Sequence, residues 1–546
     1  EEVYSALCIN MPEPLVNEMV STLKLYISAY NPYSSSSYEE IMKTFMNYSV
    51  DINNIPWFIT QLYFVGKLKG GFSKMEIKKS TYIHCLVVAF FCLGFRFIPP
   101  FMGLTEMGMG IMGTFIGAVY GWVLIDMLWP SVLALVGIGL SIGMNNMMVN
   151  SFGSLTIVSM IVCMMAIGAA MKNGAFTWLA MKLLTNKALA GKGYTILAVI
   201  LILAWLVGSF NPIIMMMIFA SFIISMFEQV GVKKDDKLVV FMFLAVSYQL
   251  MRGQILFPFM GTGMVYMNAY NSMFPNMPMP MNQYMTMMVI MGLIMLVVLL
   301  LLMKFVFRVD VSPLANYKPT QQVPPATKGQ KMALAIFVVF IGVMIFSVFA
   351  PGAIKHFLEQ FTVVGVGMLL GALVPLLKDE NGKSLGNLED LLHMGNWGQI
   401  MMVGYIMIVS SQMMMPTTGI TTLMANIMKP FMALPPMVFI LFIMVFCLVL
   451  TNVANNMMCA VLCMPFLVNF GVMVGMNPVA MVCLMFIITE FALATPAASP
   501  VTGVAFSYTD WVSSGKMMKY GILMSVVLFV VFLVVGWPVA NFVFAV

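Results

Sequence analysis

The chain has 546 residues, 61% of them hydrophobic and only 9% charged, with a mean hydropathy of +0.97. Water-soluble domains carry about 25% charged residues, so a soluble fold is excluded. No period-two alternation runs through the apolar stretches, which excludes a transmembrane β-barrel, and a net charge of +6 spread over this length calls for no nucleic-acid partner.

Residues 1–80 are mostly polar, with Pro12, Pro14, the run Ser34–Ser37 and a basic end from Lys67 to Lys79. They read as a cytoplasmic extension, without a cleavable leader pattern, whose basic end meets anionic lipid. Residues 82–98 form an extra N-terminal spanning helix. A first repeat follows over 106–307, with spans at 106–126, 128–147 and 152–172. It continues through an amphipathic interfacial stretch at 175–191 carrying Lys182 and Lys187, a pair of short runs at 194–208 and 211–230, an interrupted segment at 239–272 and a helix at 283–307. A cytoplasmic linker, 308–331, contains Pro313, Pro319, Pro324 and Pro325. The second repeat, 332–546, brings spans at 332–350, 360–377 and 398–415, short runs at 434–450 and 455–475, an interrupted segment at 478–508 and a last helix at 517–540. A bilayer core takes about 20 apolar residues per helix, so the fold class is an all-α polytopic membrane protein with about eleven transmembrane helices.

If each pair of short runs is a re-entrant hairpin, the positive-inside rule places 23 of the 27 Lys and Arg residues on the cytoplasmic side. The exceptions are Arg96, Lys355 and Lys429 outside, and Arg252 within a membrane segment. The N-terminus is thus expected in the cytoplasm and the C-terminus outside, in a plasma or inner membrane.

The halves share an order of features. Gly174 precedes Gly419 by 245 residues, Ser209-Phe210-Asn211 anticipates Thr451-Asn452 at 241 to 242, and Gly261-Thr262-Gly263 anticipates Ala494-Thr495-Pro496 at 233. Five crossings per half force the second to enter from the opposite side, the inverted-repeat plan of many secondary transporters. Unwound backbone inside a membrane survives only against protein or a water-lined cavity, so these polar interruptions predict a midplane site. Its oxygens and free carbonyls suit Na⁺, and freed N–H groups at half-helix starts suit an anion. Gln249, Gln254 and Thr262 lie near enough to join the cavity.

Arg252 and Glu490 occupy corresponding interrupted segments. A bare charge at the bilayer centre costs at least about 2.5–3.5 kcal/mol, so each needs a partner. Arg252 is read as a clamp on an anionic substrate, as a fixed cation standing in for one Na⁺, or as one half of a buried Arg252–Glu490 pair, with Glu490 alternatively a proton carrier. Seven cysteines lie in apolar runs and read as packing residues, and the 62 methionines read as flexible apolar filler. His84, His356 and His393 are dispersed, so no transition-metal site is expected. Neither His-Glu-x-x-His nor Gly-x-Ser-x-Gly occurs, and no enzyme activity is expected.

The stretches "TNVANNM" and "ATPAASPVTGVAFSYTDWVSSGKMMKYGILM" in the second half, with "GTGMVYMNAYNSMFP" and "SFNP" in the first, resemble the hairpin tips and helix breaks of the divalent anion/sodium symporter family. That family comprises the dicarboxylate, citrate and sulfate carriers of the ion-transporter superfamily. The resemblance covers residues 82 to 546. It implies Na⁺-coupled transport of a small anion by an elevator motion in a homodimer. It also implies a cation-binding role for Ser209, Asn211, Gly261, Gly263, Thr451, Asn452, Asn455 and Ala494, and substrate contacts from Ser209, Asn211, Thr262, Thr451, Asn452 and Thr495. The second tip fits in two registers, one with Thr451-Asn452 and one with Asn455-Asn456 at the turn. A Na⁺-independent anion exchanger, a proton-coupled or metalloid-oxyanion efflux carrier and, further off, a passive channel are the alternatives.

Overall fold

The computed structural model describes residues 79–546 apart from 187–189, 318–322, 388, 390, 392–396, 431–433 and 545–546. The expectations for residues 1–78, Lys187, Lys318, Pro319 and His393 therefore lie outside the described residues. The chain divides into two compact units, Glu1–Ile83 and His84–Val546. Of the first, only the opening turn of helix α1 (Lys79–Ala89) is described.

In the second unit the chain leaves α1 through a π-helical turn (Phe90–Gly94) and a 3-10 turn (Phe95–Phe97). Two runs of helices follow. The first comprises α2 (Glu106–Leu124), α3 (Leu128–Ile142), α4 (Met144–Ser151), α5 (Leu155–Lys172) and the short α6 (Ala175–Leu184). It then adds a hairpin of α7 (Gly193–Val207) and α8 (Pro212–Gln229), an interrupted pair α9 (Lys237–Gln254) and α10 (Gly261–Met273), and the closing α11 (Met281–Leu301). The second run repeats the order: α12 (Lys328–Phe349), α13 (Gly352–Leu373), α14 (Trp397–Met413), the short α15 (Ile420–Met428), a hairpin of α16 (Pro436–Thr451) and α17 (Asn456–Val474), an interrupted pair α18 (Pro478–Thr489) and α19 (Pro500–Ser507), and the closing α20 (Ser514–Phe544).

Among the described residues seven helices are long and apolar enough to cross a membrane, and six shorter apolar helices accompany them. The apolar windows of α12 and α20 are only 33% buried against protein, which leaves the remainder for lipid. The first arms of the hairpins, α7 and α16, have 15 and 16 residues. At 1.5 Å per residue they rise about 23 Å, short of the ~30 Å hydrocarbon core, as a re-entrant arm requires.

Packing repeats with the sequence order. Helix α5 lies against α12 and α13, and its counterpart α14 lies against α3 and α2. Hairpin arm α8 packs on α19 of the other repeat while α17 packs on α10; α11 meets α18 while α20 meets α9; and α11 and α20 meet each other. These contacts are exchanged with one another on swapping the repeats, so the fold is the inverted-repeat membrane bundle expected from the sequence.

Three elements differ from expectation. The span at 128–147 is two helices, because Gly143 at φ +90° ends α3 and starts α4. Helix α13 begins at Gly352 rather than 360 and bends at Thr362, whose φ is +55°; its first turns carry His356 and Gln360 and so do not read as a lipid-facing run. The second repeat also has a short amphipathic helix, α15, opened by the left-handed Gly419, which the apolar periodicity had passed over.

Two features fix the first hairpin. Gly208, just beyond α7, and Gly253 on α9 let the two backbones touch: a Cβ on Gly253 would collide with the Trp205 carbonyl and lie 2.8 Å from Gly208 Cα. Outside the membrane segments, Asp235 joins the loop after α8 to the start of α20. Its Oδ1 accepts from Ser513 N (2.6 Å), its amide donates to Trp511 O (2.9 Å), and Lys516 Nζ lies 3.6 Å from Oδ2. The Ser513 amide, helped by Lys516, holds the Asp235 carboxyl below its ordinary range.

Gly208→Ala or Gly253→Ala should each cost about 1–3 kcal/mol as overpacking, lowering the thermal unfolding midpoint in detergent; an unchanged midpoint would show that the backbones do not touch. Because the folded Asp235 is the stronger acid, its clasp contributes fully above the unfolded carboxylate value and is lost as pH falls through the lowered folded one. Asp235→Asn should therefore flatten the acid-side decline of the midpoint, measured between neutral pH and pH 3.

Candidate functional site

Each hairpin turns on a hydroxyl latched to the helix beside it. In the first, Ser209 Oγ donates to Gly253 O near the end of α9; in the second, Thr451 Oγ1 donates to Thr489 O at the end of α18, 2.6 Å away. Asparagine side chains then start the return arms. Asn211 Oδ1 accepts from Ile214 N (3.1 Å) ahead of Pro212, which has no amide to satisfy, and Asn455 Oδ1 accepts from Met457 N (3.0 Å).

The breaks are satisfied in a matching way. Between α9 and α10 the chain passes Pro258 and re-enters at Gly261, φ +61°. Tyr284 of α11 donates to Ile255 O (2.7 Å), and Thr262 Oγ1 donates to Gln254 Oε1 (2.9 Å). Between α18 and α19, Ser525 of α20 donates to Phe491 O (2.9 Å) and Thr502 to Ala492 O (2.7 Å). Asn452 does most here: Oδ1 accepts from Leu493 N (3.0 Å) and Ala494 N (2.8 Å), Nδ2 donates to Phe491 O (3.0 Å), and its own carbonyl accepts from Thr495 Oγ1 (2.7 Å).

These parts meet in one cavity of about 190 Å³. The N-terminal ends of four helices reach it: Asn211-Pro212-Ile213 of α8, Gly261-Thr262 of α10, Asn455-Asn456-Met457 of α17 and Ser499-Pro500-Val501 of α19. Ser209 and Gln254 add polar groups. A helix N-terminus carries roughly half a positive charge and free N–H donors, so the arrangement favours negative charge although no Lys, Arg, His, Asp or Glu lines the cavity. The other wall is one face of α5, with Met160, Cys163, Met164, Ile167 and Met171 at helical spacing, together with Gln399 and Met402 of α14.

The two polar gaps predicted from the sequence therefore share a hollow, and of the two registers left open for the second tip the one with Asn455-Asn456 at the turn reaches it. Ser209, Asn211, Gly261, Thr262 and Asn455 line the cavity, whereas Thr451, Asn452, Gly263, Ala494 and Thr495 do not. The reason is that the second turn needs its first residues for itself: both acceptor positions of the Asn452 oxygen are taken by backbone amides, and Thr451 is fully buried against α18. Gly263 faces the Phe257 carbonyl and the Tyr284 hydroxyl, where a side chain would not fit. Of the residues predicted to bind a cation or substrate, Ser209, Asn211, Thr262 and Asn455 thus bring side-chain oxygens to the cavity wall, beside those of Gln254, Gln399, Asn456 and Ser499. Ser499, which caps α19 through Thr502 N (3.1 Å), and the α5 stripe were missed by the sequence reading. A Ser-Pro pair opening an apolar run was the available signal for the former.

Arg252 and Glu490 are both buried, at 1% and 0% exposure, yet no ion pair within 4.0 Å joins them among the described residues, and neither lines the cavity. The expected direct pair and the expected cavity clamp are both corrected. Glu490 ends α18 and accepts from Asn456 Nδ2 (3.0 Å), Tyr266 Oη (3.3 Å) and Thr489 Oγ1 (3.3 Å). Those hydrogen bonds draw it toward α17 and α10, and Asn456 is at once its partner and a cavity residue. Arg252 Nε and Nη1 find no hydrogen-bond partner, nor do Tyr248 Oη and the Gln249 amide one turn earlier. Gln249 stays off the cavity wall, unlike Gln254. Among the described residues no three His, Cys, Asp or Glu side chains gather as a metal site.

No protein-family model matches the chain. The crystal structure of the Alcanivorax borkumensis YdaH transporter, described as having an unusual topology, is similar to it, with a TM-score of 0.53 at 13% identity over 73% of this chain and 90% of that one. At that identity the likeness concerns the fold alone.

Asn452→Ala should orphan the Leu493 and Ala494 amides at about 1–3 kcal/mol each. Its thermal midpoint should fall well below that of Asn455→Ala, which loses only a cap worth about 1 kcal/mol; equal midpoints would refute the bracing role.

Proposed function

We propose that this protein is a secondary carrier of small anions, coupled to Na⁺. The observation that carries the reading is the convergence of four helix N-termini and both hairpin turns on one cavity without a formal charge. Partial positive ends attract an anion, but an unneutralised ion in a largely apolar hollow is expensive. A co-bound cation on the cavity oxygens supplies the balance, which is what coupling means at the level of charge. In this reading Ser209, Asn211 and Asn455 hold Na⁺ and the amides of Thr262 and Val501 hold the anion. The dicarboxylate, tricarboxylate and sulfate classes implied by the sequence resemblance are the first candidates. The YdaH likeness supports a transporter fold.

The paired hairpins and interrupted helices pack mainly on α11, α20 and one another. That suits an elevator in which they move as a block against α2–α5 and α12–α14, working as a homodimer. The lysine bias supports a cytoplasmic N-terminus and an external C-terminus in a plasma or inner membrane. A second reading, proton coupling, rests on a specific contact: Asn456 of the cavity wall donates to the buried Glu490 carboxylate.

Proteoliposome uptake tests both. Replacing Na⁺ by K⁺ should abolish concentrative uptake, and Asn455→Ala should raise the half-saturating Na⁺ by about tenfold, roughly 1.4 kcal/mol. Uptake that survives without Na⁺, follows an inward proton gradient and is lost in Glu490→Gln would replace Na⁺ by H⁺. Flux that never saturates would make the protein a channel.

A further inference from the structure

We infer that the solute taken by this cavity is an amphipathic monoanion, a single anionic head on a compact apolar body. The inference rests on the carrier reading of the site and replaces the dicarboxylate, tricarboxylate and sulfate classes implied by the sequence resemblance with another anion class. Three observations converge. The cavity is two-faced: the helix N-termini and their amide and hydroxyl side chains occupy one part of its wall, and the Met160, Cys163, Met164, Ile167 and Met171 face of α5 with Met402 of α14 occupies another. A second carboxylate on the solute would lie against the thioethers and aliphatic carbon of the α5 face, where the uncharged Gln399 amide of α14 is the one polar side chain on that side, and burying a charge with no cation to balance it is strongly unfavourable.

The formal charges nearest in the fold do not repair this. Arg252 and Glu490, the buried ions of the interrupted helices, are absent from the lining, and no other ionisable side chain enters it except the Cys163 thiol. An uncharged wall with one co-bound Na⁺ balances one negative charge, so a neutral one-to-one complex is the cargo that the cavity can hold without a residual ion. The size agrees: at about 190 Å³ the hollow is slightly larger than the ~150 Å³ engineered cavity that admits benzene, enough for a ring or branched chain with one head group. Methionine is abundant throughout this chain, and its flexible, polarisable side chain adapts to aromatic and aliphatic bodies alike. The argument needs only that the α5 wall is apolar and uncharged.

The test uses the full-length protein in proteoliposomes with an inward Na⁺ gradient and labelled benzenesulfonate, a permanently charged probe that does not leak as a neutral acid. The expected result is saturable, Na⁺-dependent and electroneutral uptake, unchanged by an imposed K⁺ diffusion potential. Unlabelled succinate, citrate and sulfate should compete at least tenfold more weakly. Met164→Gln, which leaves the polar side intact, should raise the half-saturating benzenesulfonate by about tenfold, the scale of an altered apolar contact in a pocket. Met160→Gln on the same face serves if the first variant's thermal midpoint shows that it does not fold. Saturable Na⁺-driven uptake of succinate, citrate or sulfate in preference to benzenesulfonate would overturn the solute class and leave the carrier reading standing. No saturable gradient-driven uptake of any of the four would overturn both.

Discussion

A helix that stops inside a membrane leaves amides and carbonyls with no water to satisfy them, each unsatisfied group costing several kcal/mol in hydrocarbon. Everything distinctive in this fold follows from four such stops. The hydroxyls of Ser209 and Thr451 each donate to a carbonyl near the end of the neighbouring interrupted helix, and a side chain of each closing helix, Tyr284 or Ser525, supports a break carbonyl. The latches pair hairpin with break inside each repeat, and the packing of α8 on α19 and of α17 on α10 joins the repeats across their pseudo-two-fold relation.

That economy decides which polar residues remain for a ligand. The second break is longer than the first, running from Glu490 to Ser499 against Ile255 to Met260, and exposes more backbone. Asn452 is used up on it, and the turn residues that reach the cavity are displaced along the chain to Asn455 and Asn456. The first hairpin, with a shorter break beside it and Pro212 having no N–H that needs an acceptor, leaves Ser209 and Asn211 on the cavity wall. A repeat in sequence thus yields a site that is symmetric in architecture and asymmetric in chemistry.

The buried charges carry the same lesson. Two ions in mirrored segments suggest a pair, but Glu490 is held by Asn456, Tyr266 and Thr489, whose donors come from both repeats. Helix α9 turns Tyr248, Gln249 and Arg252 within one 100° arc of its surface, and all three leave polar atoms unpartnered. The core of hairpins and broken helices therefore carries its formal charge behind the cavity wall, while the wall itself is built of helix ends, amides and thioethers.

What this chain determines locally was open to reading from its residues alone. Apolar runs of bilayer length, glycines and prolines that stop helices, and recurrence at a near-constant offset establish an inverted pair of repeats with polar gaps at matching depth, because each is a property of a short stretch in lipid. The tertiary structure decided what depends on competition between distant partners: whether an asparagine oxygen faces a backbone amide or a cavity, whether two ions touch, and which face of α5 closes the site. Hydrogen-bond acceptors are exclusive, so once the Leu493 and Ala494 amides claim Asn452 no sequence spacing can return it to the ligand.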